Sequence, residues 1–150
     1  MHKVYLLLGS NLGDREKNIE EAINELMLCG VIILKKSSLY NTAPWGYIDQ
    51  PEFLNQAVEG LTSLEPLALL REIKKIEKRM GRVETLRYGP RVIDIDIIFY
   101  DNIIFESKDL VIPHPLMHKR EFVLKPLCEI APDFIHPKLN LPVKKLLENL

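Results

Sequence analysis

Apolar and polar positions follow two rhythms along this chain, a period near two and a period near 3.6. Residues 4–8, Val-Tyr-Leu-Leu-Leu, form a continuous apolar run, as in a strand buried on both faces. Gly9-Ser10-Asn11-Leu12-Gly13-Asp14 reads as a tight, turn-rich connection. Ile19, Ala22, Ile23, Leu26 and Met27 then fall at i, i+3, i+4, i+7 and i+8, one stripe of a helix that Gly30 stops. Residues 31–40 predict a second strand and residues 53–61 a third, with Phe53, Asn55 and Ala57 on one face. Between them, residues 41–51 carry Pro and Gly punctuation and no helical stripe, and their length suits a lid. Ser63-Leu64-Glu65-Pro66 opens a second helix with Leu67, Leu70, Ile73, Ile76 and Met80 as its stripe and Gly81 as its end. A second loop, 82–91, leads into a strand over residues 89–99, entered through a Gly-Pro bend. There Ile93, Ile95, Ile97 and Phe99 share one face, and Val92, Asp94, Asp96 and Ile98 share the other.

The order strand–helix–strand–strand–helix–strand is the split βαβ arrangement. It predicts an α+β protein with a ferredoxin-like βαββαβ core, an antiparallel sheet with helices on one face. A hairpin from residues 103–105 and 110–112 is appended. Pro113-His114-Pro115 breaks it, a short helix disturbed by Pro126 follows within 119–130, and a final helix begins near Pro142. No repeat or low-complexity tract divides the chain, so residues 1–150 are expected to form one domain.

Composition narrows the function classes. With 20 basic and 21 acidic residues the net charge is -1, which gives no pull toward nucleic acid or an anionic membrane. No apolar run approaches the roughly 20 residues of a membrane helix. Met1-His2-Lys3 does not begin a signal peptide, and Cys29 and Cys128 form no CxxC, so a cytoplasmic setting is expected. A monomer is expected, because the sheet and helices leave no apolar stripe over.

The chemistry concentrates on the strand with two carboxylates. Asp94 and Asp96 project from one face roughly 6–7 Å apart. At an effective dielectric near 20 their charges repel by about 2–3 kcal/mol. A solvated edge pair is the plain alternative, since D-x-D is common. A cation between the charges relieves the repulsion, and Mg²⁺ suits one or two carboxylates completed by phosphate oxygens and water. Arg91 lies just upstream, in a loop that also holds Arg82 and Arg87, and His114 and Arg120 follow the hairpin. Each alone is an ordinary surface residue. The three arginines of the loop together point to phosphate, because guanidinium pairs phosphate bidentately. No G-x-x-x-x-G-K-[ST] is present, so a nucleotide would be held by metal ions and side chains. Phe53 and Phe122 are core candidates on their own. Asn55 beside Phe53 points instead to a flat heterocycle that both stacks and hydrogen-bonds. Trp45, in its Pro/Gly loop, reads as a gate.

Taken in order, these residues resemble the 6-hydroxymethyl-7,8-dihydropterin pyrophosphokinase family of folate biosynthesis. The likeness spans nearly the whole chain. It rests on Gly9-Ser10-Asn11-Leu12-Gly13, Phe53-Leu54-Asn55-Gln56-Ala57, Tyr88-Gly89-Pro90-Arg91-Val92-Ile93-Asp94-Ile95-Asp96, Ile112-Pro113-His114-Pro115 and Arg120-Glu121-Phe122. The resemblance implies transfer of pyrophosphate from ATP to the pterin hydroxymethyl group, with release of AMP. It implies two Mg²⁺ ions on Asp94 and Asp96, and Arg82, Arg91 and Asp96 in catalysis. ATP would meet Lys74, Glu77, Arg82, Arg91, His114 and Arg120. The pterin would meet Thr42, Gly46, Phe53, Asn55 and Phe122, with the loops 43–51 and 82–91 closing over both. Three positions depart from the family pattern: Glu84 where a second arginine is frequent, Lys74 where Gln is frequent, and Pro115 where an aromatic is frequent. Phe53 in place of the more familiar Tyr keeps the stacking face and loses a hydroxyl.

Two other readings stay open. A non-catalytic ferredoxin-like binding module for RNA or a regulatory ligand predicts basic or aromatic strand faces and needs no Asp pair. Another Mg-dependent nucleotidyl transferase would use the same pair and release pyrophosphate.

Overall fold

A computed structural model describes residues 1–44, 49–81 and 90–150. The apolar run at the start becomes β1 (His2–Ser10), the strand that organises the sheet. It pairs antiparallel with β4 (Phe53–Thr62) on one side and β5 (Asp94–Tyr100) on the other. β2 (Ile32–Lys36) flanks β4, giving the order β2-β4-β1-β5, and the short β3 (Tyr40–Thr42) extends the β2 side of β4. With α1 (Arg15–Leu28) after β1 and α2 (Pro66–Arg79) after β4, this is the expected ferredoxin-like arrangement.

One face of the sheet packs on both of these helices. Val4, Leu6, Leu8, Val58, Ile95 and Ile97 meet Ile19, Ala22, Ile23 and Leu26 of α1 and Leu69, Ile73 and Ile76 of α2. Each such side chain contributes about 1.5–3 kcal/mol of burial. Asp14 caps α1 by accepting from the Lys17 amide at 3.2 Å, and Gly30 ends its last turn with φ +100°. In α2 the buried stripe runs through Leu69, not the expected Leu67, which is 39% exposed. Two steps of three residues back from Ile73 drift by about 120° at 100° per residue, so Leu67 turns outward. Leu70 stays partly buried against the core, and Leu69, four residues before Ile73, is fully buried. Met27 of α1, also read as core, is 55% exposed.

The opposite face is covered too, by the appended C-terminal helices, whose place against the sheet the sequence did not assign. α3 (Glu121–Ile130) and α4 (Val143–Glu148) bury Val123, Leu124, Leu127, Val143 and Leu146 against Tyr5, Leu7, Ala57 and Phe99. Phe99 belongs to this second core and not, as its parity suggests, to the face of Ile93, Ile95 and Ile97. The cause is a bulge: Leu6 pairs with Ile97 but its neighbour Tyr5 pairs with Phe99, so Ile98 is an extra residue and the alternation inverts after Ile97.

The second strand also breaks where period two gave no warning. The Ser37 hydroxyl accepts from the Ala57 amide at 2.9 Å, in place of a strand carbonyl. The chain steps out and pairs again as β3, so part of the expected loop is strand. The appended hairpin is β6 (Phe105–Glu106) with β7 (Val111–Ile112), and a 3₁₀ turn (Met117–Lys119) leads into α3. The premise for a monomer does not hold as stated, because Ile32 and Leu34 are exposed on β2 and Leu28 at the end of α1. Among the described residues no helix is long and apolar enough to cross a membrane.

His136 shows how the second core depends on pH. It is buried, its Nδ1 accepts from the amides of Lys138 (3.1 Å) and Leu139 (3.0 Å), and its ring meets Phe99 edge-on. Burial, then repulsion from His118 and Lys138, pushes its pKa down from 6.5 to about 4. The folded state therefore keeps this ring neutral where the unfolded chain protonates it. Its contribution is complete above pH 6.5 and is lost as pH falls toward about 4. We expect denaturant midpoints to drop across this window by the equivalent of up to about 3 kcal/mol. His136→Asn, which keeps an acceptor but does not titrate, should flatten that slope; an unchanged slope would contradict the assignment.

Candidate active site

The second face of the sheet has two ends. One is sealed by α3 and α4; the other carries polar groups. Register brings these together: Gly9 lies between Asn55 on β4 and Asp94 on β5, Leu7 lies between Ala57 and Asp96, and Thr42 on β3 pairs with Phe53. Phe53, Asn55, Thr42, Asp94 and Asp96 therefore share one patch; parity alone had joined Phe53 to Asn55 and Asp94 to Asp96, each pair on its own strand. Asp94 and Asp96 are half-buried, alternating with the buried Ile93, Ile95 and Ile97 that fix the strand.

Gly9 is the floor of the patch, not a turn residue. A Cβ at this position would lie 2.7 Å from Asn55 Oδ1 and 3.6 Å from Phe53 Cδ1. Asn55 thus sits directly over the glycine, and its Nδ2 donates to Thr42 Oγ1 at 2.6 Å. The turn itself falls at Gly13, with φ +71°.

Asn11 is a site residue that sequence reasoning missed. Its side chain is 2% exposed and satisfied on both ends. Nδ2 donates to Gln50 Oε1 (2.8 Å) and to the Pro51 carbonyl (3.0 Å), while Oδ1 accepts from the Arg91 amide (2.8 Å). The Asn11 amide in turn donates to the Arg91 carbonyl at 3.0 Å. One buried amide thus holds the end of one long loop against the end of the other. The only sequence signal was an Asn next to an apolar strand end, which turn chemistry explains equally well. Asn11→Ala strands these groups. It is expected to destabilise the fold by about 2–4 kcal/mol and to lower kcat/KM roughly tenfold or more. Denaturation and steady-state turnover check this, and wild-type values in both would refute it.

The phosphate-binding candidates line the β5 side. Arg91 is 8% exposed, and its Nη1 donates to the Pro90 carbonyl at 3.1 Å. Glu77, 3% exposed on α2, accepts from the Ile95 amide at 2.9 Å, so it holds the free edge of β5 between the two aspartates. Lys74 reaches Glu77 Oε1 at 3.4 Å. His114 donates its amide to the Ile98 carbonyl at 3.1 Å, on the same edge. Burial, then the Arg120 charge, holds the His114 pKa down at about 4 against the opposing pull of Asp94. Arg120 and Asp94 therefore both lie within electrostatic reach of His114. Arg120 places its guanidinium 5.7 Å from the Phe122 ring centroid, on the first turn of α3, where Phe122 meets the second core. Gly46, Arg82, Glu84 and Arg87 lie outside the described residues, as do Trp45 and Tyr47.

The donor set fits Mg²⁺. Asp94 and Asp96 are two half-buried carboxylates on one strand face, and a pair of carboxylates leaves the other coordination positions to phosphate and water, as Mg²⁺ prefers. Among the described residues no group of three or more His, Cys, Asp or Glu could hold a metal ion by itself.

A family model described as 7,8-dihydro-6-hydroxymethylpterin-pyrophosphokinase (HPPK) matches residues 5–132. The 2-amino-4-hydroxy-6-hydroxymethyldihydropteridine pyrophosphokinase of Aquifex aeolicus is 46% identical over 97% of this chain and 90% of its own length. The Folic acid synthesis protein FOL1 of Dictyostelium discoideum is 50% identical over 98% of this chain. The chain spans only 22% of that protein, about a fifth, and 20% of its counterpart from Pneumocystis carinii. In structure the chain is similar to the HPPK-DHPS of Plasmodium falciparum, with TM-score 0.78 over 99% of this chain and 45% of that one. At 20% identity that likeness concerns the fold.

Proposed function

This chain belongs to the 7,8-dihydro-6-hydroxymethylpterin-pyrophosphokinase family, and from that membership we propose that it transfers the pyrophosphoryl group of ATP to the hydroxymethyl group of 6-hydroxymethyl-7,8-dihydropterin. The products are AMP and the pterin diphosphate, a step of folate biosynthesis. The observation that supports this reading is the patch where Asp94 stands across Gly9 from Asn55, with Asp96 two residues along β5 and Phe53 two residues along β4. A phosphate-and-metal end would then lie beside a flat-heterocycle end.

Residues 1–150 act in this reading as one pyrophosphokinase domain, monomeric and cytoplasmic. Phe53 and Phe122 stack on the pterin, with Asn55 and Thr42 hydrogen-bonding its edge and Gly46 lining it. Asn55 is pre-set for this, because its donor is already anchored on Thr42 and its oxygen lies over Gly9. Lys74, Glu77, His114 and Arg120 lie on the nucleotide side. A neutral His114 can accept or donate a hydrogen bond there without adding charge. Asp94 and Asp96 would hold two Mg²⁺ ions. When bound, these neutralise the triphosphate and orient it for in-line attack at the β-phosphorus. Arg82 and Arg91 bind phosphate oxygens and stabilise the charge of the transferring group. Asp96 would serve as a metal ligand, and taking up the proton of the attacking hydroxyl is a second role open to the same carboxylate.

Protein, MgATP and the hydroxymethyl-dihydropterin, mixed and resolved by chromatography, test this directly. AMP formed only in the presence of the pterin supports the reading. Nucleotide turnover indifferent to the pterin, or no turnover, refutes it.

A further inference from the structure

In the functional reading above, the pterin is held between walls of different origin. Asn55 and Phe53 come from the sheet, whereas Phe122 comes from α3. Something must fix the distance between them. The buried side chains of α3, Val123, Leu124, Leu127 and Ile130, are all apolar, and apolar contact is non-directional. β3 is weakly held as well: it has three residues and follows the break at Ser37.

Glu129 joins the two. Seven residues after Phe122, two helical turns on, it lies on the same side of α3. Its carboxylate accepts from the Ser38 amide at 2.9 and 3.1 Å, from the Ser38 hydroxyl at 3.3 Å and from the Tyr40 hydroxyl at 2.6 Å. Tyr40 pairs with Asn55, and two residues later Thr42 pairs with Phe53 and receives the Asn55 amide. A chain of directional bonds thus runs from the helix that carries Phe122 to the strand pair that carries Asn55. We infer that Glu129 is a positioning residue for the pterin site, setting β3 against α3 so that Asn55 and Phe122 stand at the spacing of one heterocycle. The bond to Tyr40 is the leading cause both of the lowered Glu129 pKa and of a Tyr40 pKa raised to about 12. The clamp therefore stays a charged carboxylate on a neutral phenol across the neutral pH range.

This inference rests on the pterin reading above, and binding measurements separate the two. Affinity for 6-hydroxymethylpterin is measured by its fluorescence with a non-hydrolysable ATP analogue and Mg²⁺ present, and affinity for the analogue is measured alone. Glu129→Ala is expected to weaken the pterin about five- to tenfold and to change analogue binding less than about twofold. Glu129→Gln, which keeps one acceptor oxygen, should recover most of the loss, and Tyr40→Phe should fall between. Pterin affinity unchanged in folded Glu129→Ala overturns the inference, as does a parallel loss of pterin and analogue binding that tracks thermal stability. Should Glu129→Ala fail to fold, unchanged pterin affinity in Tyr40→Phe overturns it as well. A wild-type protein that binds no pterin overturns the functional reading and this inference with it.

Discussion

Asp96→Ala is expected to lower turnover by about a thousandfold or more, and Asp94→Ala to do the same, while the fold survives in both. The two effects separate because the aspartates lie on the polar face of β5. The strand is held from the other side by Ile93, Ile95 and Ile97, which are at most 4% exposed. It is also held at its edge by the bond from the Ile95 amide to Glu77. Removing one carboxylate leaves these contacts of the strand in place, so thermal stability should change little. Catalysis falls because the remaining carboxylate alone cannot organise a metal-bound triphosphate. Asp→Asn at either position keeps the shape and loses the charge, and should remain far below wild type. Near-normal turnover in either alanine variant would contradict the metal assignment.

Gly9→Ala is expected to raise KM for the pterin roughly tenfold or more, with a smaller effect on ATP. The added methyl would lie 2.7 Å from Asn55 Oδ1, closer than any relaxed contact, so the amide must turn away. Turning breaks its bond to Thr42 and moves the group assigned to the pterin edge. The backbone at Gly9 is ordinary strand, so the substitution probes space and not conformation. Stability should fall as well, by about 1–3 kcal/mol, because Asn55 is 4% exposed and loses its bond to Thr42. A variant with the wild-type KM for the pterin would show that Asn55 does not set pterin binding.

What the sequence made legible follows from period and parity. Alternation on β5 placed Asp94 and Asp96 together on one face, and the stripes of α1 and α2 yielded both helices that back the sheet. The ferredoxin-like order came from counting elements. What escaped was decided by partners distant in the chain. The Ile98 bulge exists only in the pairing with β1, so parity assigned Phe99 to the wrong core. A serine hydroxyl that replaces a strand carbonyl at Ser37 has no local signature. Glu77 matched a nucleotide-side position by resemblance; that its carboxylate also holds the edge of β5 required the packing of α2. Gly9 and Asn11 were read as turn residues because Gly and Asn are turn formers. Their importance lies in what sits above one and on both sides of the other.

The central claim is that the paired aspartates present the β-phosphorus of ATP, and not the γ- or α-phosphorus, to a pterin alcohol. Phosphorus NMR of the pterin product formed from MgATP tests it most directly. The account predicts two coupled phosphorus signals on the pterin, matched mole for mole by AMP. A pterin monophosphate accompanied by ADP, or a nucleotidyl-pterin accompanied by free pyrophosphate, would contradict it.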